Sequence, residues 1–318
     1  MRVLFWGTPD FATAPLRALI GEGHEVVGVV TQPDRPRSGR GRSTLDASPV
    51  KVVALEEAIP VLQPDRPRGE EFVASMRALW PDVSVVVAYG HILPKEVIDL
   101  PRLGTLNIHA SLLPLYRGAA PIQAAIRDGR TETGVSIMRM VPELDAGPVI
   151  LTLRVDILPD ETGGELQLRL AELGAEAIVT ALALVELGGA IEQPQDETKA
   201  TYARKIARDH AMVDWTGSAE IAERVVRAYD PKPGAWTMRG TTEVRLFGAM
   251  AVDTPAVAVP VGTVIAAGDD GLLVACGDGA LRVQEVHVAG RKRQRAGDWA
   301  RGRGVAVGDV LGPPAVEA

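Results

Sequence analysis

Apolar positions along this chain recur with two periods, and each change of period marks an element. Arg2–Trp6 is a short apolar run that reads as a buried strand, closed by Gly7-Thr8-Pro9-Asp10. From Phe11 to Gly21 the apolar residues Leu16, Leu19 and Ile20 sit at helical spacing, and Gly21 and Gly23 supply a stop. Glu25–Thr31 returns to a Val-rich strand. Strand, helix and strand within about 30 residues make a βαβ unit, which implies parallel strands and a right-handed crossover. The alternation continues with helices over Pro49–Ala58 and Glu70–Leu79 and strands over Val61-Leu62, Val83–Ala88 and Thr105–His109. A helix over Pro121–Asp128, strands over Gly134–Met140 and Gly147–Val155, and a long amphipathic helix over Glu165–Leu187 follow. This order predicts an α/β fold with an open, mostly parallel, Rossmann-like sheet.

The pattern then changes. Gly188-Gly189 and the polar stretch that follows, with Pro194, read as a linker over 190–204, which leaves 1–189 as one domain and 205–312 as a second. A helix over Ile221–Tyr229, with Ser218 as its cap, precedes short strands over Glu243–Phe247, Gly262–Ala267, Leu272–Cys276 and Ala280–Val288. Gly-Asp turns separate these strands, a spacing that suggests a small barrel or sandwich.

A chain of 318 residues accommodates two such domains, and no run approaches the ~18 apolar residues of a membrane span. The start, Met-Arg-Val-Leu-Phe-Trp-Gly, has the look of a strand rather than a secretory signal. Cys276 is the sole cysteine, which excludes an intramolecular disulfide and a cysteine metal cluster, so a reducing, cytoplasmic setting is expected. The net charge of −7 argues by itself against a general nucleic-acid binder.

That charge is unevenly placed. Residues 1–202 carry 19 Lys/Arg against 27 Asp/Glu, a balance of −8, whereas 203–318 carry 15 against 14, a balance of +1. Within His287–Arg303, six basic residues including Arg291, Lys292 and Arg293 face the single acid Asp298. Arg35, Arg37, Arg40 and Arg42 form a second basic cluster, in a loop rich in Pro, Ser and Gly. One such run is ordinarily a solvated face; two in acidic surroundings point toward a polyanionic partner.

Gly7-Thr8-Pro9 lacks the spaced glycines of a dinucleotide fingerprint and reads as a tight turn. The segment 106–150 is richer. Asn107 and His109 are two apart on a strand and share a face, near the carboxyl end where open α/β sheets hold ligands. Asp145, in the loop after the next strand, is placed to return to that edge. An amide donor, an imidazole and a carboxylate converging there suit acyl transfer to an amine. The alternative, a hydrogen-bonded core histidine and a strand-end cap, stays open on spacing alone.

Asn107-Ile-His109-Ala-Ser111-Leu-Leu-Pro114, with Asp145 downstream, resembles the active-site signature of the formyltetrahydrofolate-dependent formyltransferases. Gly7-Thr8-Pro9-Asp10-Phe11, Val30–Pro36, Val85–Pro94, Arg117–Gln123 and Gln195-Asp196-Glu197-Thr198 extend the likeness, as do Asp214-Trp215, Arg227-Ala228 and Pro233 near the C-terminus. The resemblance covers nearly the whole chain. It implies the formyltransferase fold followed by a smaller OB-like β-barrel, and Asn107, His109 and Asp145 as the catalytic group. It implies 10-formyltetrahydrofolate as formyl donor, held by Ser111, Leu112, Leu113 and Pro114 and by Val87, Ala88, Tyr89, Gly90 and Ile92, without a metal. The acceptor it implies is the α-amine of methionine on initiator tRNA, with Arg35, Arg37, Arg40, Arg42, Arg291, Lys292 and Arg293 on the tRNA and a monomer as the working form. A member of the same family acting on a small amine, such as an amino-sugar nucleotide, is the alternative. Two positions depart from the common family pattern: Ala110 stands where many relatives have Gly, and Leu115 replaces a frequent Arg or Lys.

Overall fold

The structure is a computed structural model that describes residues 1–36, 45–254 and 259–313. It comprises two compact units. The first takes in Met1–Pro121, Glu132–Asp156 and Gln167–Arg204; the second takes in Ile122–Thr131, Ile157–Leu166 and the chain from Lys205 onward.

Apart from a two-residue pair, Arg35–Pro36 with Leu45–Asp46, the strands described in the first unit are β1 (Arg2–Gly7), β2 (Glu25–Val30), β3 (Val61–Leu62), β4 (Val83–Val87), β5 (Thr105–His109), β6 (Arg117–Gly118), β7 (Glu132–Arg139), β8 (Val149–Asp156) and β9 (Tyr202–Ala203). Among the described residues, seven of them form one sheet in the order β8-β7-β5-β4-β1-β2-β3. From β5 to β3 every pairing is parallel, whereas β7 runs antiparallel to β5 and β8 antiparallel to β7. The sheet is therefore mixed at one end.

β4, Val-Ser-Val-Val-Val, is buried along its whole length, as expected for a parallel strand covered on both faces. Its one polar side chain, Ser84, accepts a hydrogen bond from Trp6 Nε1 at 3.2 Å, which satisfies both groups inside the core. Trp6 also meets Tyr89 and Phe72 edge-on, with ring centroids at 5.2 and 5.8 Å. Helices α1 (Thr13–Gly21), α2 (Pro49–Glu56) and α3 (Glu70–Ala78) connect the parallel strands. Ser48 caps α2 by accepting from the Lys51 amide at 3.1 Å, and Pro49 fills the first turn, where no amide hydrogen is needed. β2 lies on one side of β1 and β4 on the other, so the direction of strand addition reverses there and opens a crevice at the strands' carboxyl ends.

Residues 190–204, read as a linker from their polarity, are bonded into the first unit. Gln193 exchanges backbone hydrogen bonds with Val149, Arg139 pairs with Glu192, and β9 runs parallel to β6. Polarity alone did not separate a tether from a strap, because the strap is held by side-chain and backbone hydrogen bonds at the surface rather than by apolar burial.

The second unit contains helix α4 (Pro121–Arg127) apart from its first residue, the opening turn of α5 (Gly163–Glu186), α6 (Ala219–Tyr229) and α7 (Ala296–Arg301). Sequence reading assigned the first two of these segments to the N-terminal domain, on their place in the chain. Gly163 and Gly164 explain the association of α5's first turn with α6. A Cβ at Gly163 would lie 2.3 Å from the Ala228 carbonyl oxygen, and the Gly164 amide donates to the Asp230 carbonyl at 2.9 Å.

Its strands are β10 (Ala235–Arg239), β11 (Thr242–Val252), β12 (Val264–Gly268), β13 (Gly271–Ala275), β14 (Ala280–Val288), β15 (Gln294–Arg295) and β16 (Leu311–Gly312). They are antiparallel in the order β12-β13-β14-β11-β10-β16, with β15 on β14. The two ends of this sheet are joined to each other. Leu311 N donates to Gly262 O, Val264 N to Asp309 O and Gly308 N to Val264 O, at 2.8, 2.8 and 2.9 Å. β16 escaped the sequence reading because it is two residues long and its partner β10 lies some seventy residues back in the chain; β10 was missed although it forms a hairpin with β11.

Gly262 makes the junction possible. Its φ is +80°, and a Cβ there would sit 1.9 Å from the Leu311 carbonyl oxygen that lies across the seam. Gly262→Ala should therefore destabilise the second unit by more than ~1–2 kcal/mol, the left-handed backbone cost alone. Gly268→Ala, with no atom within 4 Å of the added carbon, should stay within about ±0.5 kcal/mol. Denaturant unfolding of both variants checks the difference.

Candidate active site

Strand alternation turns Asn107 and His109 to the same face of β5. Pairing fixes their neighbours: Asn107 lies opposite Val86 of β4 and Met138 of β7, and His109 opposite Ser136. Asp145 is carried to them by the turn between β7 and β8. It adopts φ +49°, a left-handed conformation that Asp tolerates better than most side chains. Two residues on, a Cβ at Gly147 would lie 1.8 Å from the Arg139 carbonyl oxygen, so only glycine lets this turn lie flat against the end of β7.

The three side chains meet. Asn107 Nδ2 donates to Asp145 Oδ1 at 3.4 Å, and the Gly118 amide donates to Asp145 Oδ2 at 2.7 Å. His109 Nδ1 lies 3.7 Å from the same Oδ2, close enough for charge attraction but too long for a direct hydrogen bond. Its Nε2 is 2.9 Å from the Tyr116 carbonyl oxygen; a carbonyl only accepts, so Nε2 carries a proton. His109 is 5% exposed, which shields these polar contacts from water. Among the described residues the second hydrogen of the Asn107 amide meets no acceptor. A carbonyl placed above β5 would thus meet an amide donor, an imidazole and a carboxylate within one small volume.

The segment expected to bind folate begins at the end of the same strand. Ser111 is fully buried and turned inward: its hydroxyl donates to the Leu115 carbonyl at 2.5 Å, and its own carbonyl accepts from Ser136 Oγ at 2.8 Å. Ser136 Oγ also accepts from the Leu113 amide at 3.1 Å. The loop is pinned to β7, and Leu112, Leu113 and Pro114 remain partly exposed. Leu112 lies against Gly134, where a Cβ would come within 2.5 Å of Leu112 Cδ2. Ala110 does not take a left-handed φ, so its methyl is accommodated.

At the end of β4 the second expected folate segment separates by side. Val87 and Tyr89 point into the core, while Ala88, Gly90 and Ile92 are exposed. Ala88 and Gly90 have φ of +48° and +88° and fold the backbone back sharply. Gln32 Nε2 fixes this turn by donating to the Tyr89 carbonyl at 2.8 Å. Burial pushes the Tyr89 hydroxyl up to about 12, and that hydroxyl has no hydrogen-bond partner among the described residues.

Of the expected tRNA-contacting residues, Arg37, Arg40 and Arg42 lie outside the described residues. Arg35 is exposed and donates to Gln32 Oε1 at 2.6 Å. In the second unit, Arg291 and Lys292 are exposed with no acidic partner among the described residues. Arg293 is engaged: it pairs with Glu285 at 2.6 Å and Asp230 at 3.3 Å and lies 4.1 Å above the Phe247 ring. Burial raises the Asp230 carboxyl above the usual range, and the Arg293 charge opposes that shift. Among the described residues, no three of His, Cys, Asp and Glu gather to hold a metal ion, and no helix is long and apolar enough to cross a membrane.

Three residues that sequence reasoning gave no part stand beside the site. Gln195 reaches the Asp145 turn, Arg117 reaches Gln195, and the Gly118 amide reaches the Asp145 carboxylate. One signal was present in the chain: an arginine followed by Gly-Ala-Ala-Pro, a segment otherwise small and apolar, is a buried cation in want of a partner.

The formyl transferase family model matches residues 1–182, and the formyl transferase C-terminal domain model matches 205–304. A methionyl-tRNA formyltransferase of Xanthomonas campestris pv. campestris is 50% identical over 304 residues, 95% of this chain and 98% of that protein. One from Marinobacter nauticus is 47% identical over 302 residues, 95% of this chain and 96% of that protein. Among solved structures, HypX from Aquifex aeolicus in complex with tetrahydrofolic acid matches at a TM-score of 0.63 and 21% identity, over 96% of this chain and 47% of HypX. The sugar 3N-formyl transferase WlaRD matches at 0.65 and 12% identity, over 92% of this chain and 99% of WlaRD. The likeness to these structures is one of fold. The identity to the curated relatives spans both units, and this chain belongs to the methionyl-tRNA formyltransferases.

Proposed function

We infer that this protein transfers the formyl group of 10-formyltetrahydrofolate to the free α-amine of methionine esterified to initiator tRNA, giving N-formylmethionyl-tRNA for translation initiation. The observation that carries this reading is the 50% identity to a methionyl-tRNA formyltransferase, sustained over 95% of the chain. The small-amine alternative has only fold-level likeness behind it, at 12%, 13% and 20% identity.

Asn107, His109 and Asp145 are the catalytic group in this reading, and the convergence of their side chains at the carboxyl end of β5 supports it. The neutral amine attacks the formyl carbon, forming a C–N bond as the carbonyl π pair moves to oxygen. The Asn107 amide donates its free hydrogen to that oxyanion, and a charged His109 adds a second donor. Asp145 receives the amine's proton, directly or through one water. When the bond to the folate nitrogen breaks, that proton passes to the departing nitrogen, which leaves neutral, and charge balances with no metal required. The Ser111–Pro114 loop and the exposed edge formed by Ala88, Gly90 and Ile92 flank the site. An apolar edge with exposed backbone is the lining a flat pterin ring calls for.

The second unit is proposed as an OB-like barrel that docks tRNA, with the 35–42 loop on the acceptor stem and the 291–293 tract on the phosphate backbone. Arg291 and Lys292, exposed and without an acidic partner among the described residues, support this division better than Arg293, which pairs with Asp230 and Glu285. The domain limits proposed are 1–189 for chemistry and 205–312 for tRNA, with a monomer in the cytoplasm as the working form.

Asn107→Ala and Asp145→Asn should each lower kcat by ~10²–10³ in formylation of methionyl-initiator tRNA, with folding intact by circular dichroism. Arg291→Ala with Lys292→Ala should raise the tRNA KM, leave the folate KM unchanged and flatten the salt dependence by about one unit of slope per lost phosphate contact. Arg293→Ala should in addition lower the melting temperature, because it strands the Asp230 carboxylate at 8% exposure without its cation.

A further inference from the structure

The turn that presents Asp145 is held from behind by an amide whose four hydrogen-bonding sites are all used. Gln195 Nε2 donates to the Asp145 carbonyl at 2.8 Å and to the Gly147 carbonyl at 2.7 Å. Gln195 Oε1 accepts from Arg117 Nε at 3.1 Å and Nη2 at 2.8 Å. Arg117, 2% exposed, is clamped on its far side by Glu197, whose two oxygens accept from Nη1 and Nη2 at 2.9 and 2.7 Å. The Arg117 amide donates to the Thr201 carbonyl at 2.8 Å, and β6 pairs with β9 just beyond. The next amide along β6, that of Gly118, is the one that binds the Asp145 carboxylate. One dipeptide, Arg117-Gly118, therefore controls both ends of Asp145: its carboxylate directly, and its main chain through Gln195.

We propose that Gln195, braced by the buried Arg117 and its ion pair with the exposed Glu197, is a positioning residue that sets where the Asp145 carboxylate stands relative to Asn107 and His109. The proposal rests on the reading of Asp145 as part of the catalytic group. The chemistry of the contact is specific to glutamine. Two carbonyl oxygens two residues apart require two donors on one atom, and an arginine fork on the other side requires an acceptor; the primary amide supplies both. A glutamate keeps the acceptor but sets an oxygen against two carbonyls, and a methionine keeps the length but supplies no donor. Without the amide, the Asp145 turn keeps its covalent path but loses the two bonds that hold its left-handed residue in place. A carboxylate displaced by ~1 Å in a preorganised site costs on the order of 10² in rate, while substrate binding elsewhere is unaffected.

The test is a double-mutant cycle on the full chain, with 10-formyltetrahydrofolate and methionyl-initiator tRNA, read as kcat and both KM values. Gln195→Ala and Gln195→Glu should each lower kcat by ~10–100-fold and leave both KM values within about twofold. In an Asp145→Asn background the same substitutions should lower kcat little further, because Gln195 acts only through that carboxylate. A merely structural role would lower kcat by equal factors in both backgrounds, and that result overturns the proposal. So does a Gln195→Ala enzyme with parental kcat while Asp145→Asn is slow. Near-parental turnover by Asp145→Asn would instead overturn the catalytic reading itself. Should Gln195→Ala not fold, Gln195→Met, matched in length, carries the same comparison and is decided by the same outcomes.

Discussion

A carboxylate that accepts from two donors and faces a third polar group imposes a common origin on every stretch of chain that supplies one. Asp145 is that carboxylate. Asn107 comes to it from a parallel strand, Gly118 from a short crossing pair and His109 from the same strand face as Asn107. None of these groups would gather there for apolar reasons. The mixed sheet supplies the rigid floor: β4, parallel to β5, and β7, antiparallel to it, fix the height and direction of Asn107 and His109 to within the tolerance of backbone pairing. The Asp145 turn is the adjustable part, and its supports are correspondingly many.

How much of this was legible in the sequence depended on the range of the interaction concerned. The parallel strands announced themselves because most are short runs dominated by apolar residues, as from Val83 to Val87, and the long helix because its period is local. Asn107 and His109 were legible for the same reason: two residues on one strand need no knowledge of the rest of the fold. Gln195 was not, since its partners lie some fifty and eighty residues back. A polar stretch next to two glycines has the composition of a linker whether it floats or is bonded down at every second residue. The mixed end of the sheet was similarly hidden, because strand direction is decided by the length and path of a connection rather than by the strand's own residues.

Glycines mark several of these non-local decisions in retrospect. Gly147 lets the Asp145 turn lie on β7, Gly134 admits Leu112 of the expected folate loop, and Gly262 allows the second sheet to meet its own end. In each case the missing Cβ makes room for a carbonyl or side chain from outside the local turn, eight residues back at Gly147 and farther along the chain at Gly134 and Gly262. Basic residues divide in a comparable way. Arg117 and Arg293 pair with carboxylates of their own unit, whereas Arg291 and Lys292 are exposed and have no acidic partner among the described residues. Counting charges along the sequence could not tell the two uses apart.

The two units are interleaved along the chain, which passes between them after Pro121, Thr131, Asp156, Leu166 and Arg204. Recombination at a single point therefore cannot exchange one unit intact. A chimera joined near Arg204 would bring in a foreign α6 and second sheet while keeping the resident segments Ile122–Thr131 and Ile157–Leu166 that complete the same unit. Arg227 of one parent would then have to find the Glu161 carbonyl of the other, and Ala228 would have to leave room for the other's Gly163. Relatives of this chain are thus bound to inherit the two units together, or to co-evolve across a seam that no single crossover respects.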